Sequence, residues 1–159
     1  MEARRSKIDY YLDIADAAQE RSTCLRRRYG AIIVRDDEIV ATGYNGAPRG
    51  RQNCTDLGRC ARKMLNIPAG ERYELCRSVH AEANAIISAA RRDMMGATLY
   101  LVGRDSETGE YNPDTTPCSM CRRLIINAGI ARVVCRVGEG EYTVTDVDEW
   151  IRQDDSLEK

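Results

Sequence analysis

The 159-residue chain has one histidine, one tryptophan, four prolines and no phenylalanine. Three lysines stand against 21 arginines, and the net charge is only −1. With His80 as the single histidine, an H-E-x-x-H zinc protease is excluded, and a metal held through imidazole must be held there. The balanced charge argues against gripping long nucleic acid by bulk electrostatics, leaving room only for a local basic patch. No apolar run approaches the ~20 residues needed to cross a bilayer. Met1 to Asp9 alternates basic and acidic residues without a hydrophobic stretch, so no signal peptide is expected, and the protein reads as soluble and cytoplasmic. Repeats, low-complexity tracts and interdomain linkers are also missing. With 43% hydrophobic and 31% charged residues, the composition is that of an ordinary soluble domain and not of a disordered, collagen-like or coiled-coil chain. At ~150 residues per domain, residues 1–159 read as a single domain.

What the chain does have is cysteine. Seven is an odd number, so disulfides cannot use them all. A chain without a secretion signal sits where thiols stay reduced, and spaced cysteines there more often mean metal or catalysis. The arginine excess suits bidentate phosphate binding, although a general compositional bias gives the same skew.

Ser6 and Asp9 resemble a capping box with a shortened acid, and Ile8, Tyr11, Leu12, Ala15 and Ala18 recur at helical spacing, predicting a helix over 7–21. Residues 29–35 and 38–44 read as a β-hairpin turning at Asp36-Asp37. Gly43 to Gly50 is glycine- and proline-rich and reads as a loop. Residues 51–78 show little periodicity and call for something to staple them. A helix is expected over 79–92, a strand over 97–102 and a loop over 104–116. Pro117 is expected to open a helix ending at Ala128 with Gly129 as its stop. A strand follows over 130–137, then a helix to Arg152 capped by Thr145, then a tail from Asp154. Alternating strands and helices make the class α/β, with one sheet covered by helices.

Two segments carry chemistry: His80-Ala81-Glu82 and Pro117-Cys118-Ser119-Met120-Cys121, each at a predicted helix start. Cysteines at i and i+3 in a first turn point the same way, and a helix N-terminus favours the thiolates a metal needs. With His80 the set has three ligands, the number found in catalytic zinc sites that keep one position open. Zinc there would bring the pKa of a water towards ~7. Glu82, two residues on, is about 200° around an ideal helix, so it should not bind the same ion. At the very end of the helix it can still reach the water as a proton shuttle. The target would be a carbon bearing an exocyclic amine. The alternatives are a buried histidine with a chance cysteine pair, and a thioredoxin-like redox pair, which the late position of the C-x-x-C disfavours.

His-x-Glu with Pro-Cys-x-x-Cys is the signature of zinc base deaminases. The stretches Ser22-Thr23-Cys24-Leu25-Arg26-Arg27, Gly30-Ala31-Ile32-Ile33-Val34, Gly43-Tyr44-Asn45-Gly46-Ala47-Pro48-Arg49-Gly50, His80-Ala81-Glu82-Ala83-Asn84-Ala85-Ile86 and Leu124-Ile125-Ile126-Asn127-Ala128-Gly129-Ile130 further resemble the deoxycytidylate (dCMP) deaminases of the zinc-dependent cytidine/deoxycytidylate deaminase family. The resemblance implies a cytidine-deaminase-like three-layer α/β/α sandwich with a mixed central sheet. It implies hydrolysis of dCMP to dUMP and ammonia, feeding thymidylate synthesis. It also implies activation by dCTP and inhibition by dTTP, with Mg2+ on the triphosphate, and assembly into a hexamer. Carried over by position, His80, Cys118 and Cys121 hold the catalytic zinc and Glu82 is the general acid/base. Asn45 resembles the substrate-binding asparagine, and Arg91 resembles an arginine near the effector nucleotide. Arg26, Arg27 and Arg49 flank the Asn45 loop and are candidates for the substrate phosphate. Some family members hold a second, structural zinc, so Cys24, Cys54, Cys60 and Cys76 are candidate ligands for a closed site stapling residues 51–78, against the reading of free buried thiols. Cys135 reads as core. Thr116 departs from relatives that often carry an acidic residue there. Rival readings are a cytidine deaminase, a tRNA adenosine deaminase, which should carry a basic surface, and a non-catalytic zinc- or nucleotide-binding protein.

Overall fold

The computed structural model describes residues 3–154 and 157. The elements run α1 (Lys7–Gln19), β1 (Arg27–Arg35), β2 (Glu38–Tyr44), α2 (Cys54–Leu57), α3 (Ala61–Met64), a 3-10 turn (Tyr73–Leu75), α4 (Ala81–Ile87), α5 (Arg91–Met94), β3 (Thr98–Asp105), α6 (Ser119–Ala128), β4 (Arg132–Gly138), β5 (Glu141–Asp146) and α7 (Val147–Arg152). The strands form one mixed sheet in the order β2-β1-β3-β4-β5. Only β3 and β4 run parallel.

Period-two alternation along β1 divides the core. Ile32 and Val34 face α1, where they meet Tyr11, Leu12 and Ala15 together with Tyr100, Val102 and Val134. Ala31 and Ile33 face the opposite way, onto Ala81 and Ala85 of α4 and Ile125 and Ala128 of α6. Helices therefore cover both faces, giving the expected α/β/α sandwich, and Cys135 lies in the core with 3% exposure. The β1–β2 turn falls at Asp36-Asp37, whose φ values of 50° and 63° fit the left-handed pair that a two-residue hairpin requires. On the α1 face, Arg136, with only 4% of its side chain exposed, is held by Asp13 at 3.0 Å. Arg104 grips Asp16 through two nitrogens at 2.7 and 2.6 Å. These arginines are partnered charges beneath a helix whose inner face carries acids, the arrangement that makes burial of an ion tolerable.

Several expectations need correction. α1 stops at Gln19, two residues early, while β1 begins at Arg27 and β3 runs on to Asp105. The single helix expected over 79–92 is two helices, broken after Ile87. There the Ser88 hydroxyl donates to the Asn84 carbonyl at 2.9 Å, a side-chain bond that competes with the helical ladder. Pro117 precedes α6 without opening it, because Cys118 is the N-cap. Gly129 stops α6 as expected, with φ 81°. The expected cap Thr145 belongs instead to β5, and Asp146 precedes α7. β5 is exposed along almost its whole length, so it carries no apolar alternation and is held by main-chain pairing to β4. The expected tail from Asp154 lies mostly outside the described residues.

Gly43 on β2 lets α4 sit directly on the sheet. A Cβ there would come within 2.4 Å of the Ala81 carbonyl oxygen and 2.5 Å of the Ala85 nitrogen, both main-chain atoms that cannot rotate away. Gly43→Ala is expected to cost about 3 kcal/mol in urea unfolding. Because α4 also bears the residues of the candidate site, kcat should fall with it, and an unaltered unfolding midpoint would show that α4 yields freely.

Candidate active site

The site is built from two helix starts on the same side of the sheet. His80 is the N-cap of α4, Cys118 is the N-cap of α6, and Cys121 lies in the first turn of α6. The residue before His80 is pinned from the β2 side. Val79 and Gly46 exchange main-chain hydrogen bonds at 2.7 and 3.2 Å, and the Asn84 amide donates to the Tyr44 carbonyl at 2.8 Å. The glycine-rich loop after β2 thus fixes where α4 begins.

His80 Nδ1 lies 3.5 Å from Cys118 Sγ and 3.4 Å from Cys121 Sγ. These three atoms all fall within 4.8 Å of one another, which no other such group among the described residues does. A tetrahedral zinc with Zn–N of ~2.0–2.1 Å and Zn–S of ~2.3 Å needs N···S edges of about 3.5 Å, so the donor set fits that ion. Its electrostatics fit too. The Cys121 S–H donates to Cys118 and, with His80, holds Cys118 well below the usual thiol range against the opposing effect of burial. Cys121 is pushed up in return, by Cys118 first and then by burial. Cys118 and then Cys76 raise His80 to about 10. A cation among these groups takes the place of the protons they share.

Glu82, in the first turn of α4, is 5% exposed, and burial raises its carboxyl above the ordinary range. It lines one cavity together with His80, Cys118, Asn45, Arg26 and Arg27. Asn45 is largely committed to holding the strand entrance. Its Oδ1 accepts from the Tyr29 N–H at 2.9 Å and from the Ser22 hydroxyl, and its Nδ2 donates to the Arg27 carbonyl at 3.0 Å. One amide proton is left for a ligand. Arg49 is exposed and away from the cavity lining. Arg91 also lies outside it and caps α6, donating to the Asn127 carbonyl at 2.8 Å.

All seven cysteines are free thiols. Cys24, Cys60 and Cys76 line the same cavity, and Cys54 is buried nearby. Burial raises the Cys54 thiol, and Cys24, Cys76 and Cys60 add to that rise. The four are therefore neighbours, although their sulfurs do not converge as tightly as the His80 trio does. Cys76 also turns towards His80, which holds it below the usual thiol range.

The cavity contains residues that sequence patterns did not single out. Arg62, 6% exposed, staples the aperiodic segment by donating to the Pro68 and Glu71 carbonyls, both at 2.8 Å. Its guanidinium lies 4.4 Å over the Tyr73 ring, and Tyr73 in turn packs edge-on against His80 at 5.3 Å. Tyr29 lines the cavity as well. Spacing could not have shown these contacts, because Arg62 and Tyr73 meet through loop turns and not through a repeating face.

The family profile for the cytidine and deoxycytidylate deaminase zinc-binding region matches residues 5–137. The chain is 40% identical over 131 residues to a deoxycytidylate deaminase of Mycobacterium phage D29, covering 79% of this chain and 91% of that one. It is 37% identical over 132 residues to a deoxycytidylate deaminase of Schizosaccharomyces pombe, covering 82% of this chain but only 37% of the yeast protein. Among solved structures it resembles the dCMP deaminase of the cyanophage S-TIM5 in complex with dCMP and dUMP. The TM-score is 0.59 at 25% identity, covering 95% of this chain and 94% of that one.

Proposed function

Because the chain belongs to the cytidine and deoxycytidylate deaminase family, we propose that it hydrolyses dCMP to dUMP and ammonia. The observation that carries this reading is a converging His80, Cys118 and Cys121 trio, of which His80 and Cys118 line one cavity with the buried Glu82 and with Arg26 and Arg27. Zinc held by the trio supplies Lewis acidity that makes water a nucleophile near neutral pH. Glu82 takes a proton from the attacking water and delivers it to the pyrimidine ring nitrogen. The oxygen bonds to C4, Glu82 takes the proton of the new C4 hydroxyl and passes it to the amino group, and the C4–N bond breaks as the C4 carbonyl forms and ammonia leaves. Arg26 and Arg27, which line the same cavity, meet the 5′-phosphate.

The finer parts of the reading rest on the family resemblance. They are one deaminase domain over the whole chain, a cytoplasmic place in dUMP supply, a hexamer, and control by dCTP and dTTP with Mg2+. Among the described residues no helix is long and apolar enough to cross a membrane. Arg91 caps α6 through Nε alone, which leaves its terminal nitrogens to serve an effector. A second zinc held by Cys24, Cys54, Cys60 and Cys76 is supported by the mutual proximity of these thiols around Cys54.

The test is ammonia release from dCMP, CMP, deoxycytidine and dCTP, with and without dCTP or dTTP plus Mg2+ as effectors. The highest kcat/KM is expected for dCMP, at least tenfold above deoxycytidine if one arginine–phosphate contact of ~1.5–3 kcal/mol is lost. Equal rates for dCMP and deoxycytidine would remove the phosphate from the reading. Rates indifferent to both triphosphates would remove the effector site.

A further inference from the structure

The phenol of Tyr29 has a socket of its own. Tyr29 on β1 stands opposite Gly103 on β3. A Cβ at Gly103 would meet the Tyr29 ring at 2.4 Å, so the ring occupies the space that the missing side chain leaves. Asn112, 7% exposed, donates from Nδ2 to the phenol oxygen at 3.0 Å. Its orientation is not free, because its Oδ1 accepts from the Asp114 N–H at 3.1 Å and its main chain binds Gly103 and Thr115. The phenol oxygen is therefore an acceptor towards Asn112, and the phenol's own proton is left to donate. No acceptor among the described residues takes it.

That proton belongs to a wall of the cavity made of donors. Arg27 and Tyr29 are two apart on a strand, so they share a face, and the charges of Arg27 and of Glu82 both reach the phenol. Arg26 lines the same cavity, and Glu82, on α4, is its one acidic lining residue. Two cations and a neutral O–H donor, with one spare Asn45 amide proton beside them, suit an anionic oxygen cluster and not a neutral ring edge.

We propose that the Tyr29 hydroxyl donates to the 5′-phosphate of the substrate beside Arg26 and Arg27, and that it is a specificity-determining residue for nucleotide over nucleoside. This rests on the dCMP reading above. Tyr29→Phe keeps the ring in its socket and removes the donor, and with it the acceptor for Asn112 Nδ2. A hydrogen bond to a charged group is worth about a ten- to hundredfold change. In Tyr29→Phe, kcat/KM for dCMP is expected to fall by that factor through KM, while the thermal midpoint drops by only about a few degrees as Asn112 loses its acceptor. For deoxycytidine, assayed at millimolar concentration, it should fall by less than about threefold. An unchanged KM for dCMP, a loss carried by kcat, or an equal loss on deoxycytidine would each overturn the assignment. Wild-type protein is assayed alongside, so absence of ammonia release from dCMP there sinks the deaminase reading itself, whereas a wild-type rate with no phosphate-dependent loss in the variant sinks only the role of Tyr29.

Discussion

Glu82→Gln is expected to lower kcat on dCMP by about three to four orders of magnitude, the upper range for removing a positioned proton-transfer group, while metal content and unfolding midpoint stay at wild-type values. Glutamine has the same shape as glutamate and keeps an oxygen acceptor, so helix α4 and the metal trio have no reason to move. What it cannot do is take a proton from water and give it to the ring nitrogen. Burial already raises the Glu82 carboxyl above its ordinary value, which brings its proton affinity nearer to that of the groups it must exchange with at neutral pH. The same shift predicts the pH profile. The basic form of Glu82 is the one that starts the cycle, so kcat/KM falls as pH drops through the raised pKa, on an acid limb lying above the usual carboxylate range. A variant keeping more than a tenth of the wild-type kcat would mean that another group moves the proton.

Glu82 could be proposed from reading alone because the pattern that singles it out is written in local positions. His80, Glu82, Cys118 and Cys121 all belong to helix caps or first turns, and the spacing of a helix start is short enough for sequence to specify. The expectation that Glu82 lies too far around the helix to be a ligand, yet close enough to act, depended on His80 sitting at the very end. His80 is the N-cap of α4. The β1–β2 hairpin was legible for the same reason, since β1 holds a run of Ile and Val residues, a second apolar stretch follows, and the turn is two residues long. What stayed hidden has no repeating face. β5 is a nearly fully exposed edge strand, so no apolar pattern announces it. The segment over 51–78 is tied by arginines, Arg62 and Arg77, whose partners are carbonyls, and carbonyls have no sequence signature. Arginines are the least legible group of all. Arg26 and Arg27 reach the cavity while Arg49 and Arg91 do not, and that sorting depends on long side chains and on tertiary packing.

His80→Ala separates the two metal proposals and removes activity altogether. Three donors around an ion form a usable site, but two thiolates from one helix turn do not close it, and a lost ligand commonly costs more than the 10–100-fold seen for lost outer partners. The variant is therefore expected to release the zinc of the trio and to lose more than about 10⁴ in rate, beyond the reach of Glu82 alone. Zinc per chain then reports on the remaining cysteines. If Cys24, Cys54, Cys60 and Cys76 form a closed site, wild-type protein carries two zincs and His80→Ala carries one. Cys54→Ser should then lose the other zinc, and with it the anchoring of α2, because Cys54 is 6% exposed and opens that helix. The two losses should be distinguishable by stability as well. Removing a closed four-ligand site lowers the unfolding midpoint strongly, since metal binding is folding energy there. Emptying the trio mainly costs rate, because α4 and α6 remain packed on the sheet through Ala85 and Ile125. One zinc per chain in the wild type, fully lost in His80→Ala, would leave Cys24, Cys54, Cys60 and Cys76 as buried thiols. Full zinc retention in His80→Ala would instead mean that the imidazole is not a ligand, and the trio would no longer account for the chemistry.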